Sequence, residues 1–370
     1  MRGRELISML ESSGLRGRGG GAFPTGAKLA AVVAGRGRPT VVVNAAEGEP
    51  ASGKDGALIR LKPHLVLDGA VAAASAIGAN EVTVVLATAA RPEHAALSTA
   101  LRQRHDPVRW KVVSVADGFV AGEETAVLNA VAGKPGKPSV KPPYPFERGL
   151  RGAPTLVQNA ETLAHVALIA RFGAEWFRSV GTESEPGTAL VTVSGAVSRP
   201  GVYELELGST LAELLKEAGG VTEAISACLV GGYFGEWIRD PAHRLTAAAG
   251  LGAGVVVAFP ASACAVSESA RIVRYLAEES AGQCGPCIHG LAALADGLQT
   301  IAQGQGRDRR EDLRRWTRLV TARGACRHPD GAARFVASTL AAFEPEISLH
   351  LRRGRCTGVD RPVVPLGRAA

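Results

Sequence analysis

Aromatic side chains are scarce in this chain: four tryptophans, four tyrosines and nine phenylalanines make up 5% of its 370 residues. Single-strand nucleic-acid binders interleave aromatic and basic residues so that bases stack beside phosphate contacts, and that pattern is missing here. The net charge of +7 and pI near 9.3 come with arginines scattered along the chain, so the basic balance does not imply nucleic acid. Long apolar runs are missing too. The uncharged stretch Thr246 to Ser267 is interrupted by glycines and Pro260, which argues against a membrane span and leaves a core strand, GVVVAF. Charge begins at Arg2 and no apolar signal core follows, so the expectation is a cytoplasmic chain with no direct membrane insertion.

Glycine, by contrast, is plentiful. Six of the 45 glycines fall in one segment, GLRGRGGGAFPTGAKL at 14–29, together with Arg16, Arg18 and Lys28. Each glycine costs conformational entropy on folding, so such a run beside positive charge points to an anionic ligand lying on bare backbone. From Gly26 the segment reads as helix, whose first amides suit a phosphate. It is not a P-loop, because the spacing from Gly21 is one residue too long and Leu29 replaces the Ser or Thr that would bind magnesium. Gly17-x-Gly19-x-x-Ala22 fits a relaxed dinucleotide fingerprint, but residues 2–12 before it read as helix where a strand is required.

TVVVNA (40–45), EVTVVLAT (81–88) and RWKVVSV (109–115) alternate with helical runs, which predicts an α/β domain with a parallel sheet. Composition changes at TESEPG near Thr182. Strand, Pro-Gly turn, strand and helix then give a small α+β domain. From Glu268 the chain reads as four helices with cysteines at their joints. The expected division is 1–181, 182–265 and 266–370.

Two acidic clusters sit where α/β sheets bind ligands. Strand 40–45 runs into Asn44-Ala45-Ala46-Glu47-Gly48-Glu49, and Glu123-Glu124 opens a helix after Gly122. Carboxylates there suit ribose or ribityl hydroxyls and repel a 2′-phosphate, although Glu123 at a helix start also fits a cap. Six cysteines complete the inventory. Cys228 and Cys264 read as core residues, while Cys284, Cys287, Cys326 and Cys356 gather in the last quarter, where C-x-x-C suggests metal or redox chemistry.

GLRGRGG...FPTG.K, N-A-x-E-G-E-P, G-E-E-T, K-P-P-(aromatic)-P, N-x-E-T and E-S-x-G-x-C-x-P-C occur in this order. The chain thereby resembles, over nearly its whole length, the FMN- and NADH-binding iron-sulfur subunit of respiratory complex I. It resembles equally the related subunits of NAD-linked hydrogenases and formate dehydrogenases. The resemblance implies a Rossmann-like FMN/NADH domain, a β-grasp-like SLBB domain and a C-terminal helical bundle with an iron-sulfur site. It also implies hydride transfer from NADH to FMN and one-electron transfer to a ferredoxin-like or other redox protein partner. The flavin would carry the difficult chemistry, so no catalytic side chain is expected.

Carried over by position, Gly17, Gly19 and Gly20 would line FMN and NADH, and Lys28 would meet phosphate. Phe23 and Tyr144 would flank the adenine. Asn44, Glu47, Gly122, Glu123, Asn159 and Thr162 would surround FMN, while Glu49 and Glu124 would face NADH and favour it over NADPH. Cys284, Cys287 and Cys326 match three cluster ligands of a 4Fe-4S-like centre. Ala281 stands at the first family cysteine, and Cys356, His289, His328 or Ser280 are candidates to complete the set. Ala46, Ala22 and Phe119 are smaller departures, at positions where the family often has aspartate, glycine and tyrosine. The chain lacks the longer N-terminal region and appended ferredoxin domains of several relatives, so its acceptor would be another molecule. The alternatives are an FMN-dependent enzyme with a dead cluster reducing a soluble acceptor, and a silent binding or assembly subunit.

Overall fold

A computed structural model describes residues 3–304 and 308–367. The chain divides into two compact units, Met1–Gly48 with Ser52–Leu190 and Glu204–Ser209, and Glu49–Ala51 with Val191–Tyr203 and Thr210–Ala370.

The first unit holds α1 (Gly3–Ser13), α2 (Thr25–Ala34), β1 (Thr40–Ala45), α3 (Lys54–Leu61) and α4 (Pro63–Ile77). These are followed by β2 (Glu81–Ala87), α5 (Arg91–Arg102), β3 (Arg109–Val115), α6 (Glu124–Val131), β4 (Thr155–Asn159), α7 (Ala160–Phe172) and α8 (Ala174–Arg178). Its sheet has the order β3-β2-β1-β4, with every neighbouring pair parallel. Alternation along β1 explains the unbroken apolar sequence. Val41, Val43 and Ala45 pack with α1, α2, α4 and α7, while Val42 faces the other side with Val85, Val127 and Leu128.

The chain winds from β1 through β2 to β3 on one side, then returns to place β4 on the other side of β1. That reversal opens a crevice at the carboxyl ends of β1 and β4, where ligands bind in such sheets. β4 has no counterpart in the sequence reading: TLVQN is five residues long, follows a proline-rich loop and is buried with no polar alternation to betray it.

The second unit contains most of β5 (Thr188–Gly195), the first half of β6 (Gly201–Glu206), α9 (Leu211–Glu217), β7 (Ile225–Val230), β8 (Glu236–Ile238) and β9 (Val255–Pro260). Here the strand order is β6-β5-β9-β7-β8, with β9 parallel to β5 and antiparallel to β7. Helices α10 (Ala265–Glu278), α11 (Ala292–Ala302), α12 (Arg310–Val320), α13 (His328–Ala342) and α14 (Glu344–Arg353) follow. Trp237 joins sheet and helices, its ring against Phe259, Phe335 and Phe343 and its indole N–H donating to Ser269 Oγ at 3.1 Å. The expected final helix over 330–353 is two helices. Pro345 lacks an amide hydrogen and sits in the first turn of α14, so the chain breaks at Phe343. Among the described residues no helix is long and apolar enough to cross a membrane.

Gly69 lets α4 approach α7 so closely that a Cβ would overlap the Leu163 carbonyl. Gly69→Ala is expected to cost about 3 kcal/mol, the upper range for overpacking, because backbone and not a rotamer must yield. Urea denaturation of the two proteins measures it.

Candidate functional site

The glycine-rich segment forms a pinched loop at the mouth of the crevice. Thr25 N–H donates to the Leu15 carbonyl and Gly17 N–H to the Phe23 carbonyl, both at 2.9 Å, and Arg16 bridges Pro24. Ala22 is held at φ +48°, left-handed backbone that an L residue occupies at a cost of about 1–2 kcal/mol. The fold itself does not require glycine at every position of the loop. A Cβ at Gly17 would meet nothing nearer than 3.6 Å and one at Gly21 would meet open space, and neither has positive φ. Bare backbone there fits a molecule lying against the loop. The N-terminus of α2 just beyond has no side-chain cap, which leaves amide donors for an anion.

Arg18 departs from its sequence reading as an anion ligand. It is 8% exposed and turns inward, its Nε donating to the Thr188 carbonyl at 3.1 Å and lying 4.0 Å from Glu161 Oε1. A buried carboxylate requires cationic partners, and Glu161 takes this one. Behind the loop, Lys54 Nζ sits 2.8 Å from both Asp55 Oδ1 and Glu161 Oε2, with all three side chains nearly inaccessible. Leu190 N–H donates to Glu161 Oε1 at 2.7 Å, and His165 Nε2 lies 3.8 Å away. Burial would raise the Glu161 carboxyl, but Lys54, His165 and Arg18 outweigh it and hold it at about 2. Burial raises Asp55 above the usual carboxylate range despite Lys54, with Glu47 adding to the rise. Sequence reasoning missed Lys54, Asp55 and Glu161, because residues so far apart along the chain leave no periodic signal. The N-x-E-T motif did contain Glu161.

The residues read from sequence connect to this network. Asn159 caps α7, accepting from Glu161 N–H at 3.1 Å while its Nδ2 donates to Asp55 Oδ2 at 2.6 Å. Thr162 Oγ1 accepts from Arg18 N–H at 2.9 Å and so anchors the loop. Glu47 accepts from Ser52 Oγ and from the amides of Asp55 and Gly56 at the start of α3. Asn44 Nδ2 donates to the Gly122 carbonyl at 2.8 Å. Gly122 runs so near β1's exit that a Cβ would stand 2.6 Å from the Ala46 carbonyl.

A second cluster gathers charge of both signs. Lys28 Nζ lies 3.3 Å from Glu124 Oε2, and Lys141 Nζ lies 2.8 Å from Glu123 and 2.7 Å from Glu124. Burial would raise the Glu124 carboxyl, but Lys28 and Lys141 hold it below the usual range. Glu123 caps α6, its carboxylate accepting from Thr125 and Ala126 amides. Lys141, in the K-P-P-(aromatic)-P motif, is the partner that sequence reading overlooks. Phe23 and Tyr144 are exposed, 52% and 43%, with the Tyr144 ring stacked parallel on Phe146. Glu49 belongs to the second unit, where its Oε2 accepts from Tyr233 N–H at 2.9 Å.

Cys284 and Cys287 flank the start of an irregular turn, Pro286–Leu291, between α10 and α11. Burial and neighbouring Cys284 and Cys326 push the Cys287 thiol up to about 12. Burial acts likewise on Cys284, but amides of Ala325 and Cys287 and the Cys287 thiol draw it below its ordinary value. Cys284 and Cys326 both act on Cys287, and three thiols are one short of the four that an iron-sulfur cluster usually takes. Two candidates for the fourth position are engaged elsewhere: His328 Nε2 donates to the Leu276 carbonyl at 2.6 Å, and Cys356 donates to Cys264. Cys264 is therefore not the isolated core residue expected. It is buried as expected, yet sits 3.2 Å from His350 Nε2 because it caps α10 beside α14.

An α/β unit with a glycine loop at its switch point, joined in one chain to a cysteine-bearing helical unit, fits the class of proteins that combine a nucleotide-type ligand with a metal. Residues 10–168 match the Nuo51 FMN-binding domain, 190–229 the SLBB domain, and 267–350 the NADH-ubiquinone oxidoreductase-F iron-sulfur binding region. An NADH-quinone oxidoreductase F chain of Rhizobium meliloti (strain 1021) is 34% identical over 378 residues, covering 95% of this chain and 90% of that protein. The corresponding F chain of Aquifex aeolicus (strain VF5) is 33% identical, covering 92% and 85%. Among solved structures, the NAD+-reducing NiFe-hydrogenase in the H2-reduced state matches with TM-score 0.88 and 32% identity over 95% of this chain. This chain spans 63% of that hydrogenase chain. It belongs to the family of the NADH-quinone oxidoreductase F chains.

Replacing Lys54 by Met takes the nearest cation from two buried carboxylates and is expected to cost about 3–5 kcal/mol, measured by denaturant unfolding. Glu161's depressed pKa stabilises the fold above its unfolded value of about 4.3, and that contribution is lost as pH falls toward 2. The difference in Tm between wild type and Glu161→Gln is therefore expected to narrow as pH is lowered through that window.

Proposed function

We propose that this chain is an NADH dehydrogenase module that uses FMN and an iron-sulfur cluster and delivers electrons to a ferredoxin-like or other redox protein in the cytoplasm. Its module plan is FMN/NADH binding in 1–181, an SLBB domain in 182–265 and cluster binding in 266–370. One observation carries the reading: Gly17 and Gly21 are glycines that the chain's own conformation and packing do not demand. When bound, FMN supplies the ability to accept a hydride and release electrons singly, which no side chain here provides.

This chain's residues bind and orient. Gly17, Gly19 and Gly20 offer backbone to both cofactors, and Lys28 stands at the uncapped end of α2 to take phosphate charge. Phe23 and Tyr144, exposed as the aromatic walls of an adenine site must be, flank it. Asn44 and Gly122 shape the flavin pocket from the end of β1, and Glu123 and Glu47 hold its walls as caps. Asn159 and Thr162 act by positioning, fixing the loop against the buried charges. Glu124 presents carboxylate toward the nicotinamide nucleotide, and a 2′-phosphate would be repelled. Cys284, Cys287 and Cys326 hold the cluster, with Ala281 at the position of the family's first cysteine. A second reading, direct reduction of a soluble acceptor, is favoured by that alanine alone.

Gly21→Val is expected to leave Tm unchanged, since its Cβ meets no protein atom, yet to weaken FMN or NADH binding by tenfold or more, about 1.4 kcal/mol. Flavin-fluorescence titration and NADH bleaching under anaerobic conditions read both, and unaltered affinity overturns the placement of the cofactors on the loop. Glu124→Gln is expected to raise kcat/KM for NADPH relative to NADH severalfold, checked by steady-state kinetics with both nucleotides.

A further inference from the structure

The cysteines outside the cluster form a site of their own. Cys264 Sγ lies 3.2 Å from His350 Nε2 and 3.4 Å from Cys356 Sγ, and the three ligand atoms all fall within 4.8 Å of one another. They come from three separate pieces of chain: the N-cap of α10, the last turn of α14, and the segment that follows α14. The backbone brings those pieces together independently of the side chains. Cys264 N–H donates to the Val359 carbonyl at 2.9 Å and Val359 N–H to the Ser262 carbonyl at 2.8 Å, a parallel bridge that pins the chain beyond α14.

Two thiols and an imidazole facing one point form the donor set of a borderline-soft divalent cation. Simple packing accounts for it poorly. A core histidine is satisfied by one backbone acceptor, whereas the ring nitrogen of His350 that faces the cluster meets a sulfur. The other ring nitrogen, His350 Nδ1, is buried and hydrogen-bonds no protein atom, so the ring lacks the backbone acceptor that an ordinary core histidine finds. Cys356 is only partly buried, so a water can reach a fourth position.

We propose that Cys264, His350 and Cys356 bind one zinc ion, in a structural site separate from Cys284, Cys287 and Cys326. On binding, both thiols release their protons to solvent and the neutral imidazole coordinates through Nε2, so no oxidant or reductant is involved. The ion cross-links the start of α10, the end of α14 and the segment through Val359. It would therefore be bound whether or not flavin and cluster are loaded.

The test is metal analysis by plasma mass spectrometry on the full chain, incubated with Zn2+ and freed of excess, with iron and flavin measured on the same samples. About one zinc per chain is expected in the wild type and in Cys284→Ala/Cys287→Ala, falling to near zero in Cys356→Ala and His350→Ala. Iron is expected to follow the opposite pattern. Cys356 is half-exposed, so its replacement leaves the core intact, which far-UV circular dichroism verifies. Co2+ in place of zinc is expected to give thiolate charge-transfer bands that vanish in Cys356→Ala. The proposal is overturned by a wild type without zinc, by zinc that leaves with Cys284 and Cys287 but not with Cys356, or by peptide mapping that finds a Cys264–Cys356 disulfide in the isolated protein.

Discussion

Lys54 carries the first unit. A lysine shut away from water is tolerable only where anions meet it, and Asp55 and Glu161 do so at 2.8 Å each. Each anion then draws in further elements. Glu161 gathers Arg18 from the glycine loop, His165 from its own helix and the Leu190 amide, while Asp55 takes the amide of Asn159 at the end of β4. The loop is rigid where it must be because its one buried arginine is committed to this core. At Gly17 and Gly21 its backbone is bare, and no packing within the protein requires it to be.

That division of labour gives the site its character. Backbone faces outward, and charge is either buried behind the loop or balanced in front of it, two lysines against two glutamates around Lys28 and Lys141. Lys28 and Lys141 are thus held by carboxylates, and an anion reaching Lys28 has to compete with Glu124. On the second unit, residues 267–350 match the iron-sulfur binding region, and within them Cys284 and Cys326 both act on Cys287.

Much of this is legible in the sequence, and the exceptions share a cause. β1, β2 and β3 announce themselves as apolar runs, and the glycine loop and acidic clusters stand out by composition. Glu123 is a cap in the structure, the alternative that its place at a helix start left open beside its reading as a flavin contact. What stays hidden is set by tertiary pairing. β4 is recognisable only beside β1, and Lys54 looks like any surface lysine until Glu161, far along the chain, arrives next to it. Arg18 misleads for the same reason, since a glycine-flanked arginine looks solvated until its inward partner is known. Cys264 reads as core because its neighbours in sequence are apolar. Its true companions come from the end of the chain.

The strand order of the second sheet has a consequence for synthesis. β9 lies between β5 and β7, yet it is the last of the five strands to be made, and the segment matching the SLBB domain ends at residue 229, before it. As the nascent chain leaves the ribosome, β5 with β6 and β7 with β8 can pair as they emerge, but the two pairs have no common partner until residue 260 is free. For that interval the exposed edges of β5 and β7 invite pairing with other chains, and rapid delivery of β9 is what closes them.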